Sequence, residues 1–272
     1  MMPAMSDTAL HRVPRRPHAW LVALVVSQLL VAMAWWQLGW AVGLPLMLAS
    51  HMVFLWGVMK PDSAMFSPVL VRLPTRERVV WLTIDDGPSD DTDAILDLLD
   101  SHGATATFFV VGERAQARPA TLREIVRRGH GIGNHSQSHP QAWFWALGPA
   151  RMRQQVAQAQ VTLTGIGGVA PRWFRAVVGM ANPFVSAPLR EHGLARVAWS
   201  ARGFDAVVSE PAAVVARIER DLGPGAIVLL HEGARHGRNV EAIALLLLRL
   251  EELGYRTVLP ERLPPEPEKP HV

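Results

Sequence analysis

Val79-Val80-Trp81-Leu82-Thr83-Ile84-Asp85-Asp86-Gly87-Pro88-Ser89 decides how this chain is read. Its first six residues are β-branched, aromatic or aliphatic with no polar alternation, the pattern of a parallel strand covered on both faces. Gly87 and Pro88 end the run. Asp85 and Asp86 therefore stand at the C-terminal end of a strand, the edge on which parallel α/β sheets and barrels build their sites. Two adjacent carboxylates repel unless a cation or strong donors hold them. A solvated turn is the plainer reading of Asp-Asp-Gly alone; the rest of the chain overturns it.

Downstream, strand-like and amphipathic helical segments alternate, the signature of an α/β domain built on a parallel sheet or barrel. Further strands are expected at Thr105 to Val111, Gly131 to Asn134, Arg172 to Ala176, Arg196 to Ala201, Ala226 to His231 and Arg256 to Leu259. Helices are expected near Asp91 to Ser101, Ala120 to Arg128, Ala150 to Thr164, Pro183 to His192, Pro211 to Asp221 and Val240 to Leu253. The catalytic domain is placed at 79–263, and the Pro- and Glu-rich tail at 264–272 is expected to be disordered.

Upstream, no Lys, Arg, Asp or Glu occurs from Pro17 to Met59, whereas one membrane helix needs only about 20 apolar residues. Two spans fit, Ala19 to Trp36 and Trp40 to Met59, with Gln37, Leu38 and Gly39 as the turn and Trp35, Trp36 and Trp40 at one interface. A cleaved signal peptide competes with this reading, because Arg15 and Arg16 precede an apolar run, but the run is long for one. The arm at 1–18 carries Arg12, Arg15 and Arg16, and the expected linker at 60–78 carries Lys60, Arg72, Arg76 and Arg78. Positive charge at both outer ends puts both, and the catalytic domain, on the cytoplasmic side of an inner membrane.

The 272 residues, 49% hydrophobic, suffice for one large core. A formal charge of +3 spread over scattered arginines gives no nucleic-acid patch. Without cysteine there is no disulfide, thiolate metal site or cysteine nucleophile, so any metal falls to His and carboxylate.

A second polar cluster, Gly133-Asn134-His135-Ser136-Gln137-Ser138-His139-Pro140, follows a short strand and so shares an edge with Asp85. Two histidines four apart on one helical turn converge, and with Asp86 they supply the three protein ligands of a catalytic zinc site. His231 ends the apolar strand at 226–231 and reads as a general acid. His130, His192 and His236 lack such placement and read as surface residues.

Thr83-Ile84-Asp85-Asp86-Gly87-Pro88-Ser89, His135-Ser136-Gln137-Ser138-His139-Pro140 and Leu229-Leu230-His231 resemble three signature motifs of the polysaccharide deacetylase family, carbohydrate esterase family 4. That family includes chitooligosaccharide and peptidoglycan deacetylases. The resemblance implies a distorted (β/α) barrel of about seven parallel strands, here preceded by the transmembrane hairpin, and a divalent ion, zinc above others. It makes Asp85 the catalytic base, Asp86, His135 and His139 the metal ligands, and His231 the general acid. The family's R-x-P-x-G appears as Arg175-Ala176-Val177-Val178-Gly179, which keeps the arginine that steers the base and the Val178 N–H as oxyanion donor but loses the proline. Its D-x-x-D-W appears as Arg202-Gly203-Phe204-Asp205-Ala206, which keeps Asp205, the partner of the acid histidine, and alters a wall of the sugar pocket.

The resemblance implies hydrolysis of the N-acetyl amide of an amino sugar, releasing acetate and a free amine. Two alternatives stand beside it: a membrane-anchored sugar-binding or scaffold protein that has lost turnover, and another metal-dependent amidohydrolase on the same fold. Trp143-Phe144-Trp145 directly follows the histidine cluster, and three aromatics in a loop cannot all point inward. Trp143 and Trp145 are therefore expected to stack on sugar or settle against membrane lipid. With the anchor so near, the expected partner is an N-acylated glycan, in particular a lipid-linked saccharide.

Overall fold

The computed structural model describes residues 10–263. The charge-free segment forms helices α1 (Ala19–Leu38) and α2 (Trp40–Met59). The turn between them contracts to one residue, Gly39, whose φ of 79° glycine adopts without a Cβ penalty, so α1 continues through Gln37 and Leu38. Both helices are long and apolar enough to cross a bilayer, and only 11% and 17% of their most apolar windows are buried in the protein, so they are not core helices. They pack on each other: Gln28 Nε2 donates to Ser50 Oγ at 3.0 Å, and Trp35 covers Gly43 so closely that a Cβ there would lie 2.5 Å from the ring.

The stretch at 60–78 is more than a linker. It contributes strand β1 (Val69–Leu70), and it buries Phe66 and Leu73. Then follow β2 (Val79–Gly87), β3 (Ala106–Val110), β4 (Gly131–Asn134), β5 (Trp173–Phe174), β6 (Ala195–Val197), β7 (Ala201–Arg202), β8 (Ala226–His231) and β9 (Arg256–Thr257). Their order is β1-β6-β5-β4-β3-β2-β8-β7, with β9 added to β2, and every ladder is parallel. This is the expected distorted parallel barrel.

The strand expected at 196–201 is two strands, β6 beside the edge strand β1 and β7 at the other end of that order. The residues between them cross the barrel's seam: the Ala198 N–H reaches Leu70 O at 2.8 Å, and the Ser200 N–H reaches Ile227 O at 3.0 Å. One continuous strand could not pair with both edges, so the chain breaks at Trp199.

β2 is covered on both faces. Val80, Leu82 and Ile84 pack outward under the helices, with Ile95, Leu99, Ile243 and Leu246, whereas Trp81 joins Phe109, Trp173 and Ile227 inside the barrel. By strand alternation Thr83 and Asp85 share the face of Trp81. The buried Trp81 Nε1–H is satisfied by Thr107 Oγ1 at 2.8 Å.

The outer layer is α3 (Thr92–Ser101), α4 (Gly112–Ala117), α5 (Pro119–Arg127), α6 (Pro149–Gly167), α7 (Ser186–Glu191), α8 (Pro211–Asp221) and α9 (Asn239–Glu252). Proline occupies the first turn of α5, α6 and α8, where its missing N–H costs nothing. α4 was not expected, since Pro119 cuts it off after six residues. His130, expected at the surface, is buried edge-on against Phe108. The tail at 264–272 and the first part of the arm lie outside the described residues.

Candidate active site

β2 ends in a register shift against β3 between Asp85 and Gly87. At that bulge Asp86 turns to a φ of 74°, so the two neighbouring carboxylates part: Asp85 is buried in the barrel, and Asp86 turns towards the histidines. Arg175, just beyond β5, is buried inside the barrel, where its Nη1 donates to Asp85 Oδ1 and Thr83 Oγ1, each at 2.7 Å. Its Nη2 donates to Ala198 O at 3.0 Å, and its guanidinium lies 4.1 Å from the Phe109 ring centroid. Arg175 thus fixes one oxygen of Asp85 and leaves the other, Oδ2, 3.8 Å from His135 Nε2.

His135 and His139 follow β4 in a loop rather than on the helical turn expected from their spacing. Ser136 (φ 69°) and His139 (φ 49°) bend the chain so that the two rings lie 4.9 Å apart. Among the described residues five non-glycine residues have positive φ: Asp86, Ser136, His139, Val178 and Phe204. Asp86 lies in the bulged end of β2, and the other four follow β4, β5 and β7. Each costs about 1–3 kcal/mol, strain that the surrounding fold must hold.

His139 Nε2 is 3.0 Å, and His135 Nε2 3.6 Å, from Asp86 Oδ1. One ligand atom from each of the three residues falls within 4.8 Å of the others. Asp86 Oδ1 is buried and accepts no well-aligned hydrogen bond despite the close His139. His135 Nδ1 lies 2.9 Å from Arg175 O, a carbonyl that only an N–H can satisfy, so the Nε2 lone pair faces Asp86. Burial pushes the His135 imidazole towards its neutral form against the opposing field of Asp85. Burial alone would raise Asp86, but His139 and the fields of His135 and His231 hold it well below the usual carboxylate range. A neutral imidazole and an ionised carboxylate with an unsatisfied oxygen fit a divalent cation.

His231, ending β8, pairs in register with Asp85. Its Nδ1 lies 2.9 Å from Asp205 Oδ1, and its backbone N–H donates to Asp205 Oδ2 at 2.6 Å. Burial disfavours the imidazolium, yet the Asp205 hydrogen bond and the fields of Asp205, Asp85 and Asp86 outweigh it, and the pKa rises to about 9.

Val178 lies at φ 55°, strained for a β-branched residue. On the rim Phe144 is buried, whereas Trp143 and Trp145 are 67% and 39% exposed.

Four neighbours escaped the sequence reading. Thr83 looked like one more strand residue, and Arg114, which donates to Asp86 O, sits on the unexpected α4. His236, read as a surface residue, lies with Nε2 2.7 Å from Asp205 O. Glu232 is buried beside Gly87, where its Oε2 accepts from Thr92 Oγ1 and from Ser89 Oγ at 2.7 Å. Its position directly after His231 was the available signal.

Carboxylates and imidazoles gathered at the C-terminal mouth of a parallel barrel are the equipment of an α/β-barrel hydrolase. Residues 72–197 match the family described as polysaccharide deacetylase. A chitooligosaccharide deacetylase from Bradyrhizobium sp. (strain ANU 289) is 33% identical over 192 residues, covering 65% of this chain and 87% of that protein. A peptidoglycan N-acetylglucosamine deacetylase solved with a naphthalenyl N-hydroxybenzamide superposes with a TM-score of 0.65 at 29% identity, covering 70% of this chain and 89% of that one. A family 4 pseudoenzyme from Bacillus anthracis gives a TM-score of 0.64 at 26% identity, covering 70% and 66%. The chain belongs to the polysaccharide deacetylase family, hydrolases of carbon–nitrogen bonds other than peptide bonds.

Proposed function

We propose that this protein is a membrane-anchored deacetylase that removes the N-acetyl group from an amino sugar of a glycan, with a lipid-linked saccharide as its preferred form. The observation that carries the reading is the division of labour between adjacent carboxylates: Asp85 is held by Arg175 inside the barrel, and Asp86 is turned onto His135 and His139.

Asp86, His135 and His139 would hold one divalent ion, zinc by its nitrogen and oxygen donors. When bound, such an ion polarises the amide carbonyl and lowers the pKa of a coordinated water to about 7. Asp85, with Oδ2 free of Arg175, accepts the proton of the attacking water. The Val178 N–H steadies the oxyanion. His231, fixed through Nδ1 by Asp205, delivers the proton from Nε2 to the departing amine, and acetate and the free amino sugar leave.

Membrane anchoring rests on the two exposed apolar helices, and a cytoplasmic catalytic domain on the basic residues at both outer ends. Asn182 Nδ2 donates to Phe144 O and Leu147 O at 2.8 and 2.9 Å, tying the Trp143–Trp145 rim to a loop that packs on the hairpin through Phe184. Exposed tryptophans so close to the anchor favour a substrate presented at the bilayer.

The test compares acetate release from an undecaprenyl-linked N-acetyl sugar and from soluble chitooligosaccharides, in wild type and in a Trp143→Ala, Trp145→Ala double variant. Faster turnover of the lipid-linked substrate, lost in the double variant, is expected. Faster turnover of soluble oligomers, indifferent to both tryptophans, would remove the lipid-linked preference. The alternative, raised by the likeness to a pseudoenzyme, is a non-catalytic sugar-binding protein, for which substrate would bind without acetate release.

A further inference from the structure

The loop that carries His135 and His139 is neither helix nor strand, so its shape has to be held from outside the regular ladders. Between the left-handed turns at Ser136 and His139 lie only Gln137 and Ser138, and the path of these two residues sets where His139 stands relative to His135. Both of their backbone N–H groups donate to a single atom, Oε1 of Gln155, at 3.1 and 2.9 Å. Nε2 of the same amide donates to Ser138 Oγ at 2.9 Å. Two N–H donors facing one end of the amide fix which end carries the oxygen.

Gln155 stands on α6, whose buried face of Met152, Val156, Ala159 and Leu163 gives it a fixed base. Asn134 ties the same helix to the start of the loop: its Nδ2 donates to Val156 O at 3.0 Å and to Gln160 Oε1 at 3.1 Å, and its Oδ1 accepts the Ser136 N–H at 3.0 Å. The His139 N–H donates to Ser136 Oγ at 3.2 Å, so every backbone N–H from Ser136 to His139 meets a side-chain acceptor. Two of the loop's carbonyls are taken by α4, where the Gly112 N–H donates to Ser136 O at 3.0 Å and the Glu113 N–H to Gln137 O at 2.8 Å. Left-handed non-glycine residues persist only where the surroundings over-determine them. Of the three acceptors, Asn134 and Ser136 belong to β4 and to the loop itself, and Gln155 alone reaches the N–H groups from another element.

We propose that Gln155 is a positioning residue for the metal centre: by holding Gln137 and Ser138 it sets the approach of His139 Nε2 to Asp86 Oδ1, 3.0 Å apart. The proposal rests on reading Asp86, His135 and His139 as ligands of one divalent ion. Gln155 supplies no ligand itself and acts only through the loop.

The test is the zinc affinity of full-length protein, measured by competition with a chelating dye. Gln155→Leu keeps a side chain of similar length and helical preference but accepts no hydrogen bond. It should weaken zinc binding about 10- to 100-fold, the cost of losing a group that orients a metal ligand. Gln155→Glu keeps an acceptor for both N–H groups and should bind zinc at least as tightly as wild type. Gln158→Leu, the same change at an exposed position of α6, should leave affinity unchanged. Should Gln155→Leu lose its thermal transition, Gln155→Ala carries the same expectation. Amide hydrogen exchange in metal-free protein reads the loop without the ion: exchange at Gln137 and Ser138 should speed up in Gln155→Leu and return to the wild-type rate in Gln155→Glu. Unchanged zinc affinity in Gln155→Leu, or an equal loss in Gln155→Glu, would overturn the proposal. Wild-type protein that takes up no zinc would refute the metal reading itself, and the exchange rates would then still show whether Gln155 sets the loop, unchanged rates in Gln155→Leu overturning it.

Discussion

The backbone N–H of Ala181 donates to the carbonyl oxygen of Val58 at 2.9 Å. Val58 is in the last turn of α2, where a helix leaves its carbonyls without internal partners, and Ala181 is in the loop that follows Arg175 and Val178. The apolar hairpin is thus bonded to the loop that carries two groups of the proposed mechanism. Trp20, Phe66 and Phe184 reinforce the joint, with ring centroids 6.0 Å and 5.3 Å from Trp20.

Trp20→Ala should therefore reduce kcat on a soluble N-acetylated oligosaccharide while the protein stays in the membrane fraction. Small displacements of positioning groups cost up to about 10²-fold in rate. An unchanged kcat would mean that the anchor only tethers.

Arg175→Met leaves Asp85 as a buried carboxylate without its cation. Breaking one side of a buried pair costs about 3–5 kcal/mol, so the variant should unfold at markedly lower denaturant. Adding Asp85→Asn should restore part of that stability. A double variant no more stable than Arg175→Met would show that Arg175 matters through its bonds to Thr83 and Ala198 instead.

His231 links the site to pH. Its pKa is raised in the folded state, from an ordinary 6.5 to about 9, so its stabilising contribution is full below pH 6.5 and is lost as pH rises through about 9. That contribution is on the order of 3 kcal/mol for the buried, hydrogen-bonded imidazolium. In metal-free protein, NMR titration should show His231 protonated at neutral pH, and Asp205→Asn should move its pKa down by more than one unit. An Asp205→Asn protein with an unmoved His231 titration would break the link.

The fold was legible where composition left no choice. β2 could be read because apolar residues on both faces leave only a covered parallel strand, and the hairpin because 17–59 carries no charge. Asp85, Asp86 and His231 could be placed because each terminates such a run. β1 was illegible because two residues have no period, and its pairing, Val69 with Arg196, joins residues far apart along the chain. The break at Trp199 depends on where the seam falls, a tertiary fact. His135 and His139 were brought together on the page by helical spacing, but the protein uses left-handed turns at Ser136 and His139, which local propensity disfavours and only the folded site supports.

His139→Ala removes one of three donors and should abolish stoichiometric zinc in protein that keeps its thermal transition. Elemental analysis after dialysis reads this directly. Full zinc occupancy in the variant would move the site elsewhere.

Acetate release by zinc-loaded, full-length protein, compared between wild type and Asp85→Asn with zinc content measured on the same samples, tests the central claim most directly. The account predicts acetate from the wild type and roughly 10²- to 10⁴-fold less from Asp85→Asn at equal zinc. Equal acetate release from both, or zinc lost with Asp85→Asn but kept with Asp86→Asn, would contradict the roles given to the two carboxylates.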